Sequence, residues 1–286
     1  MRFLTALLST LPLLLSAQTQ ADVSSFMFSD GVHPTLAVGF VNTDARTVTD
    51  FWKSELKGIS MKVSDKKEVL GIAARIPTIS GDTLRVYLKA DQPKNVAMVT
   101  AHLAFLTTSG FVGPDSPERE ITAAKAYVEQ RSVMLKRQIA NTTLENGRKQ
   151  LSALQSDLNG LQRERTRMEE NIARTKQKDA EALAEQQRGE AELPILAAKV
   201  DHLRNQLQQV PSEESEKQLR SAEREHAKLQ DRIRRNGDSS VSAKKKIADL
   251  EWEVKKNIKD QEAKQTAITK QEELVKEFER ALSAVN

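Results

Sequence analysis

From about residue 117 onward, apolar residues recur at alternating spacings of three and four, with charged residues between them. One run reads Leu151, Leu154, Leu158, Leu161, Arg165, Met168, Ile172. A second reads Leu196, Val200, Leu203, Leu207, Val210, and a third Leu219, Ala222, His226, Leu229, Ile233. A fourth pairs Ile247, Val254, Gln261, Ile268, Val275, Leu282 with Leu250, Asn257, Lys264, Gln271, Phe278, Val285. Such spacing keeps each stripe on one helix face, and a stripe this narrow is the seam of a coiled coil. Acid-before-base pairs four apart (Glu170 and Arg174, Glu216 and Arg220, Glu251 and Lys255, Asp260 and Lys264, Glu272 and Lys276) support the helices by about 0.3 kcal/mol each.

A lone helix cannot bury such a stripe, so it must pair with itself or with another chain. Two segments can turn it back. At Val210-Pro211-Ser212-Glu213-Glu214, proline removes a backbone donor, Ser212 can cap, and the glutamates suit a helix start. At Arg235-Asn236-Gly237-Asp238-Ser239-Ser240, glycine can end one helix and Asp238 or a serine can cap the next. Length balance favours a turn at 209–213 over one at 236–240, because it sets residue 286 near residue 137 and covers nearly the whole seam. Each arm would then run about 110 Å. Pro194 is expected to kink the first arm or end its straight section.

Residues 22–116 follow another rhythm. Leu36–Val41 is a short apolar strand, and Asp44 or Thr43 can cap a helix carrying Val48, Phe51, Trp52, Leu56 and Ile59. Alternating strands follow at Ser60–Ser64, Val69–Ile76, Leu84–Leu88 and Asn95–Leu106. Four consecutive strands favour an antiparallel sheet, with Phe51, Trp52, Ile121, Tyr127 and Val128 as covering residues. The fold class expected is α+β: a small antiparallel β-sheet domain (22–116) with one or two covering helices, then an antiparallel coiled-coil hairpin (117–286).

The first 21 residues carry one positive charge, an apolar run through Leu15, and small residues before a cut expected after Ala21, with Ala17 as the alternative. That is the pattern of a secretory signal peptide, and the run is too short to span a bilayer. The chain has no cysteine, so disulfides and thiol chemistry are excluded. A periplasmic or secreted bacterial protein is expected, without an integral span in the mature chain. Beyond Arg2 the positive excess lies in the helical part, since residues 22–116 hold 10 basic and 10 acidic residues. Lys244-Lys245-Lys246 and Arg232, Arg234, Arg235 are its local basic clusters, and a solvated helix surface accounts for them. Export argues against nucleic acid as a partner.

Phe28-Ser29-Asp30-Gly31-Val32-His33, the Trp52 helix, Lys66-Lys67-Glu68-Val69, Ile76-Pro77, Val86-Tyr87 and Asp260-Gln261-Glu262-Ala263-Lys264 through Phe278 resemble a group of exported bacterial proteins common in Bacteroidetes. Those proteins join a small αβ domain to a charged coiled coil. The resemblance covers most of 26–140 and 241–286. It implies the same architecture and carries no activity, so no catalytic, cofactor-binding or metal residue transfers from it.

The residues themselves offer little chemistry. Ser-x-x-Lys occurs at Ser54–Lys57, Ser64–Lys67 and Ser242–Lys245, without the Ser-Asp-Asn and Lys-Thr-Gly companions that a penicillin-binding enzyme needs. Phosphate loops and nucleophile elbows are missing. His33 is expected in a turn, His102 in a strand, and His202 and His226 in the coiled coil, at spacings that support neither a metal site nor a dyad. Glu213-Glu214 reads as a hairpin tip. No catalytic, cofactor or metal site is expected, and a non-enzymatic envelope protein is the leading reading, its coiled coil a spacer or assembly element that could self-associate or meet a protein partner or envelope component. A periplasmic holdase with helical arms and an adaptor of an export machine are the alternatives.

Overall fold

The computed structural model describes residues 20–94 and 96–285. The leader expected at the start of the chain, up to Thr19, the Asn95 start expected for the last strand, and Asn286 lie outside the described residues. The chain divides into two compact units: residues up to Leu151 together with those from Gln271 onward, and Ser152–Lys270.

The first unit is built on an antiparallel sheet. Its elements are β1 (Asp22–Phe28), β2 (Gly31–Val41), α1 (Ala45–Ile59), β3 (Ser60–Ser64), β4 (Val69–Ala74), β5 (Leu84–Asp91), β6 (Met98–Thr107) and β7 (Gly110–Phe111). Strand order is β1-β2-β6-β5-β4-β3, with β7 also paired to β6. Helix α1 starts where Asp44 Oδ1 accepts the Thr47 N–H at 2.7 Å, an ordinary N-cap. Its Val48, Trp52 and Leu56 are fully buried, one turn apart. They pack on the even-numbered face of β2 (Leu36, Val38, Phe40) and on Val86, Leu88, Val99, Ala101, Leu103 and Phe105. Each such side chain contributes about 1.5–3 kcal/mol of burial.

Two strands lie outside the expected β-α-β-β-β-β order. β1 hides because three of its first four residues, Asp22, Ser24 and Ser25, are exposed and polar, and its aromatic signal is Phe26 and Phe28 alone. β2 starts at Gly31 rather than Leu36, so His33 sits in a strand and not in a turn. β4 stops at Ala74 rather than Ile76, with Ala73 in the left-handed region at φ 52° where the register with β5 shifts.

Helix α2 (Glu118–Gln209) begins in this unit. Ala124, Val128, Ser132 and Leu135 are fully buried under the sheet, and Arg131 reaches Glu55 of α1 at 3.2 Å. Ala21 is 1% exposed, and its N–H donates to Glu129 Oε1 at 3.0 Å. Helix α3 (Glu213–Ser283) ends in the same unit. Phe278 packs so closely on Gly147 that a Cβ there would lie 3.0 Å from its ring. Gln271 Nε2 donates to the Gly147 carbonyl at 3.1 Å, and Arg137 donates to the Val285 carbonyl at 3.2 Å.

In the second unit the two helices pack as an antiparallel hairpin. The chain leaves α2 at Gln209 and enters α3 at Glu213, where Ser212 Oγ accepts the Ser215 N–H at 3.2 Å. Helix α3 runs unbroken through Gly237, so the alternative turn at 236–240 is not used. Helix α2 likewise continues through Pro194. Proline in a helix interior costs about 3 kcal/mol, and the flanking Leu193 and Leu196, both half-buried on the seam, oppose a break. Of the expected i,i+4 pairs, Glu170–Arg174 and Glu216–Arg220 form at 3.4 Å. Glu251 and Lys264 instead bond across the hairpin, to Lys176 at 2.9 Å and to Asp157 at 3.0 Å.

Candidate functional site

Alternation along the strands sorts the sheet into two faces. One carries the core. The other gathers Phe26 and Phe28 of β1, His33 of β2, Tyr87 of β5, His102, Ala104 and Leu106 of β6, and Phe111 of β7. Phe28, Tyr87 and Ala104 form a small second cluster there, flanked by Phe26, Leu70, Leu106 and Phe111. Rings stack across strands: His33 on Phe111 at 3.9 Å and His102 on Phe26 at 4.1 Å between centroids. Phe28 meets Tyr87 edge-on at 5.6 Å.

The β1–β2 turn places Asp30 over this cluster, and Gly31, at φ 141°, supplies a backbone that a side chain would strain. Asp30 Oδ1 pairs with His33 Nε2 at 2.9 Å, and Oδ2 accepts the Tyr87 hydroxyl at 3.0 Å. Burial pushes the Asp30 carboxyl upward, but the hydrogen bonds from His33 and Tyr87 outweigh it and hold it below the usual carboxylate range. Burial, then the Asp30 bond, raises the Tyr87 phenol. Sequence spacing alone gave no dyad, yet the fold brings Asp30, His33 and Tyr87 together. Their chemistry is that of a clamp: His33 Nε2 is engaged by Asp30 and its ring lies flat on Phe111. The nearest serine hydroxyl along the turn, on Ser29, is taken by Glu68. His102 is held below its usual pKa by burial, against a weaker pull from Asp91, and its Nδ1 lies buried without a partner.

Beside this face lies the free side of β1. Among the described residues β1 pairs with β2 alone. On the core side of the sheet next to that edge, Val23 and Met27 of β1 and Val32 of β2 are 41%, 66% and 58% exposed. Val23, Ser24, Ser25, Val32, His33, Pro34 and Pro114 line a shallow open hollow of about 500 Å³. The strand contains neither lysine nor proline, the residues that usually guard an edge.

The sequence motifs stay apart. Ser54 and Lys57 are exposed on α1, and Ser242 and Lys245 on α3. Lys67 offers its carbonyl to Lys89 Nζ at 2.7 Å and makes no bond to Ser64. Glu213 and Glu214 open α3 as its first-turn acids. His202 is exposed and His226 half-buried on the seam. Among the described residues, no group of three or more His, Asp or Glu could hold a metal ion.

A turn at 209–213 sets Gly237 level with Gln186–Gly189 in the sequence, and the second unit does carry a polar layer there. On α3 the less exposed positions run Leu229, Ile233, Asn236, Ser240, Ala243, Ile247, still three and four apart. On α2 they run Ile172, Thr175, Asp179, Ala182, Gln186, Gly189, Leu193. Gly189 admits Ile233, since a Cβ there would meet it at 2.7 Å, and Gly237 lies beside the Gln186 side chain. Ser240 is 3% exposed, and neither its hydroxyl nor Asp179 Oδ1 has a hydrogen-bond partner. The available signal was phase: Ile233 and Ile247 differ by two whole heptads, so one register passes straight through the apparent turn.

No protein-family model matches the chain, and no curated protein matches it. Among solved structures it is similar to a coiled-coil segment of Pyrococcus yayanosii Smc, at 16% identity and a TM-score of 0.28, covering 56% of this chain and 74% of that one.

Proposed function

We propose that this protein is a non-enzymatic scaffold of the bacterial cell envelope, in which the sheet unit binds a protein partner and the helical hairpin acts as spacer or assembly element. The observation that carries the reading is the seam. Heptad spacing persists along α2 from Leu144 to Leu207 and along α3 from Leu219 to Val285. Within each unit the two helices bury these positions against each other, so the helices are spent on rigidity. The sheet unit adds a surface suited to polypeptide: the outer edge of β1, without a strand partner among the described residues and flanked by exposed Val23, Met27 and Val32, offers strand-like hydrogen bonding beside apolar contacts. The envelope address rests on the leader-like first 21 residues and the lack of cysteine.

Photo-crosslinking from position 27 of the full chain in cells tests this. A discrete crosslinked envelope protein, lost in a Ser25→Pro variant that removes an edge donor while sparing the β1–β2 ladder, is expected. Crosslinks to many unfolded outer-membrane proteins, with suppression of their aggregation by the purified chain, would assign the holdase role instead. Hydrolase activity of the purified mature chain would overturn the non-enzymatic reading.

A further inference from the structure

Trp252 lies on the outer surface of α3, two residues from each of the seam positions Leu250 and Val254, at the point of the heptad farthest from α2. It is 65% exposed, whereas Trp52, the other tryptophan of the chain, is fully buried. Lys245 and Lys259 stand seven residues before and after it on the same line, and Lys255 and Lys256 one turn beyond. Lys256 Nζ sits 5.9 Å from the indole centroid. Val241, 69% exposed, and Ala248 extend the stripe toward the N-terminus. Among the described residues none of these lysines bonds a carboxylate, and the neighbouring Glu251 turns away to Lys176. Asp249 and Glu253 flank the stripe on either side.

Solvation accounts for lysines on an outer helix face, but it gives no reason for an indole there. Burying that ring would remove about 150–250 Å² from water. An aromatic ring with a polar edge, ringed by ammonium groups on long apolar stems, is the combination that settles at a membrane–water interface. There the ring enters the headgroup layer and the charges meet lipid phosphates. We propose that the Val241–Lys259 stripe is a docking surface for an anionic phospholipid bilayer, with Trp252 inserted among the headgroups and Lys245, Lys255, Lys256 and Lys259 facing phosphate. The occupant follows from charge complementarity together with the exposed indole. The helix would lie along the surface; no helix among the described residues is long and apolar enough to cross a membrane. This inference stands apart from the scaffold reading and does not depend on which protein the sheet unit binds.

Trp252 reports on its own docking, because Trp52 is shielded. The full mature chain is titrated with vesicles of phosphatidylglycerol mixed into phosphatidylcholine, and with phosphatidylcholine alone, at low salt. A blue shift of tryptophan emission and co-sedimentation are expected with the anionic vesicles only. Both should reverse at high salt, where the Debye length falls to about 3 Å at 1 M. Trp252→Phe should keep co-sedimentation and lose the shift, and the pair Lys255→Glu, Lys256→Glu should weaken binding more than about tenfold while far-UV helicity stays unchanged. Absence of binding, equal binding to neutral vesicles, or full binding by the charge-reversed pair would overturn the proposal. So would binding to a sulfated polysaccharide without binding to vesicles.

Discussion

Replacing Ser240 by alanine should strengthen the hairpin where a seam contact would ordinarily be expected to weaken on truncation. The Ser240 hydroxyl is buried on the α3 seam and has no hydrogen-bond partner. A desolvated, unsatisfied group costs about 1–3 kcal/mol. Alanine keeps the Cβ, removes the orphaned oxygen, and is the better helix former. After allowing for the small space left behind, the net gain is about 1 kcal/mol, or roughly fivefold in a local opening constant. Gly189→Val is the control of opposite sign: its side chain would start 2.7 Å from Ile233 Cγ1, and overpacking of this kind costs about 1–3 kcal/mol. Amide hydrogen exchange resolved by peptide reads both. Protection over residues 236–247 should rise about fivefold in Ser240→Ala and fall in Gly189→Val, while residues 257–275 stay unchanged. Unchanged or faster exchange in Ser240→Ala would mean that the hydroxyl has a partner, and the polar-layer argument would fail.

At the hairpin turn, Ser212→Ala removes the acceptor for the Ser215 N–H and should cost about 1 kcal/mol. The effect should be seen as faster exchange at residues 213–216, and equal exchange would show the cap to be idle. His102 gives a pH test: its folded pKa is depressed by burial, so below about pH 6.5 the unfolded chain takes up a proton that the folded one refuses. Stability should therefore fall as pH drops through that value toward the folded one, and His102→Gln should flatten the slope; an identical slope in the variant would exclude burial of a neutral ring. Asp30 titrates in the other sense. Its carboxyl is held low, so its contribution is complete above its unfolded value and lost as pH falls through the depressed one, and wild type and Asp30→Asn should converge in acid. If the leader-like segment proposed above is removed, the packing of Ala21 against the core, with its N–H on Glu129, favours a cut after Ala17 over one after Ala21. The mass of the mature chain should include Gln18–Ala21, and a chain beginning at Asp22 would contradict this.

The coiled coil was legible because its rule is arithmetic. Ile247 to Leu282 and Leu151 to Ile172 announce their register in steps of seven, and Pro211 with Ser212 marks a break in chemistry that the helices obey. The polar layer was not legible as continuous seam. Asn236, Gly237 and Ser240 carry strong local preferences for turns, and those preferences lose to burial of Ile233 and Ile247 on either side. Helix α2 likewise does not end at Pro194. In the sheet, α1 and the alternating strands could be read from Asp44, Trp52 and the Leu84–Leu88 run. β1 could not, because an edge strand with one exposed face and polar residues in alternate places has almost no hydrophobic period. The Asp30–His33–Tyr87 clamp was hidden for a related reason. Tyr87 lies 57 residues from Asp30, and only the pairing of β2, β6 and β5 closes that distance.

The central claim is that α2 and α3 of one chain cover each other about a turn at 210–212. The absence of native cysteine allows spin labels to be placed as pairs at Lys176 with Glu251 and at Arg204 with Glu223, positions that bond across the hairpin at 2.9 and 3.2 Å. Labels on helices packed about 8–10 Å apart should show strong dipolar broadening in both pairs, unchanged when labelled chains are diluted into unlabelled ones. Broadening that disappears on dilution, or that is missing from the Lys176–Glu251 pair, would contradict the account by placing the partner helix on another chain or the turn elsewhere.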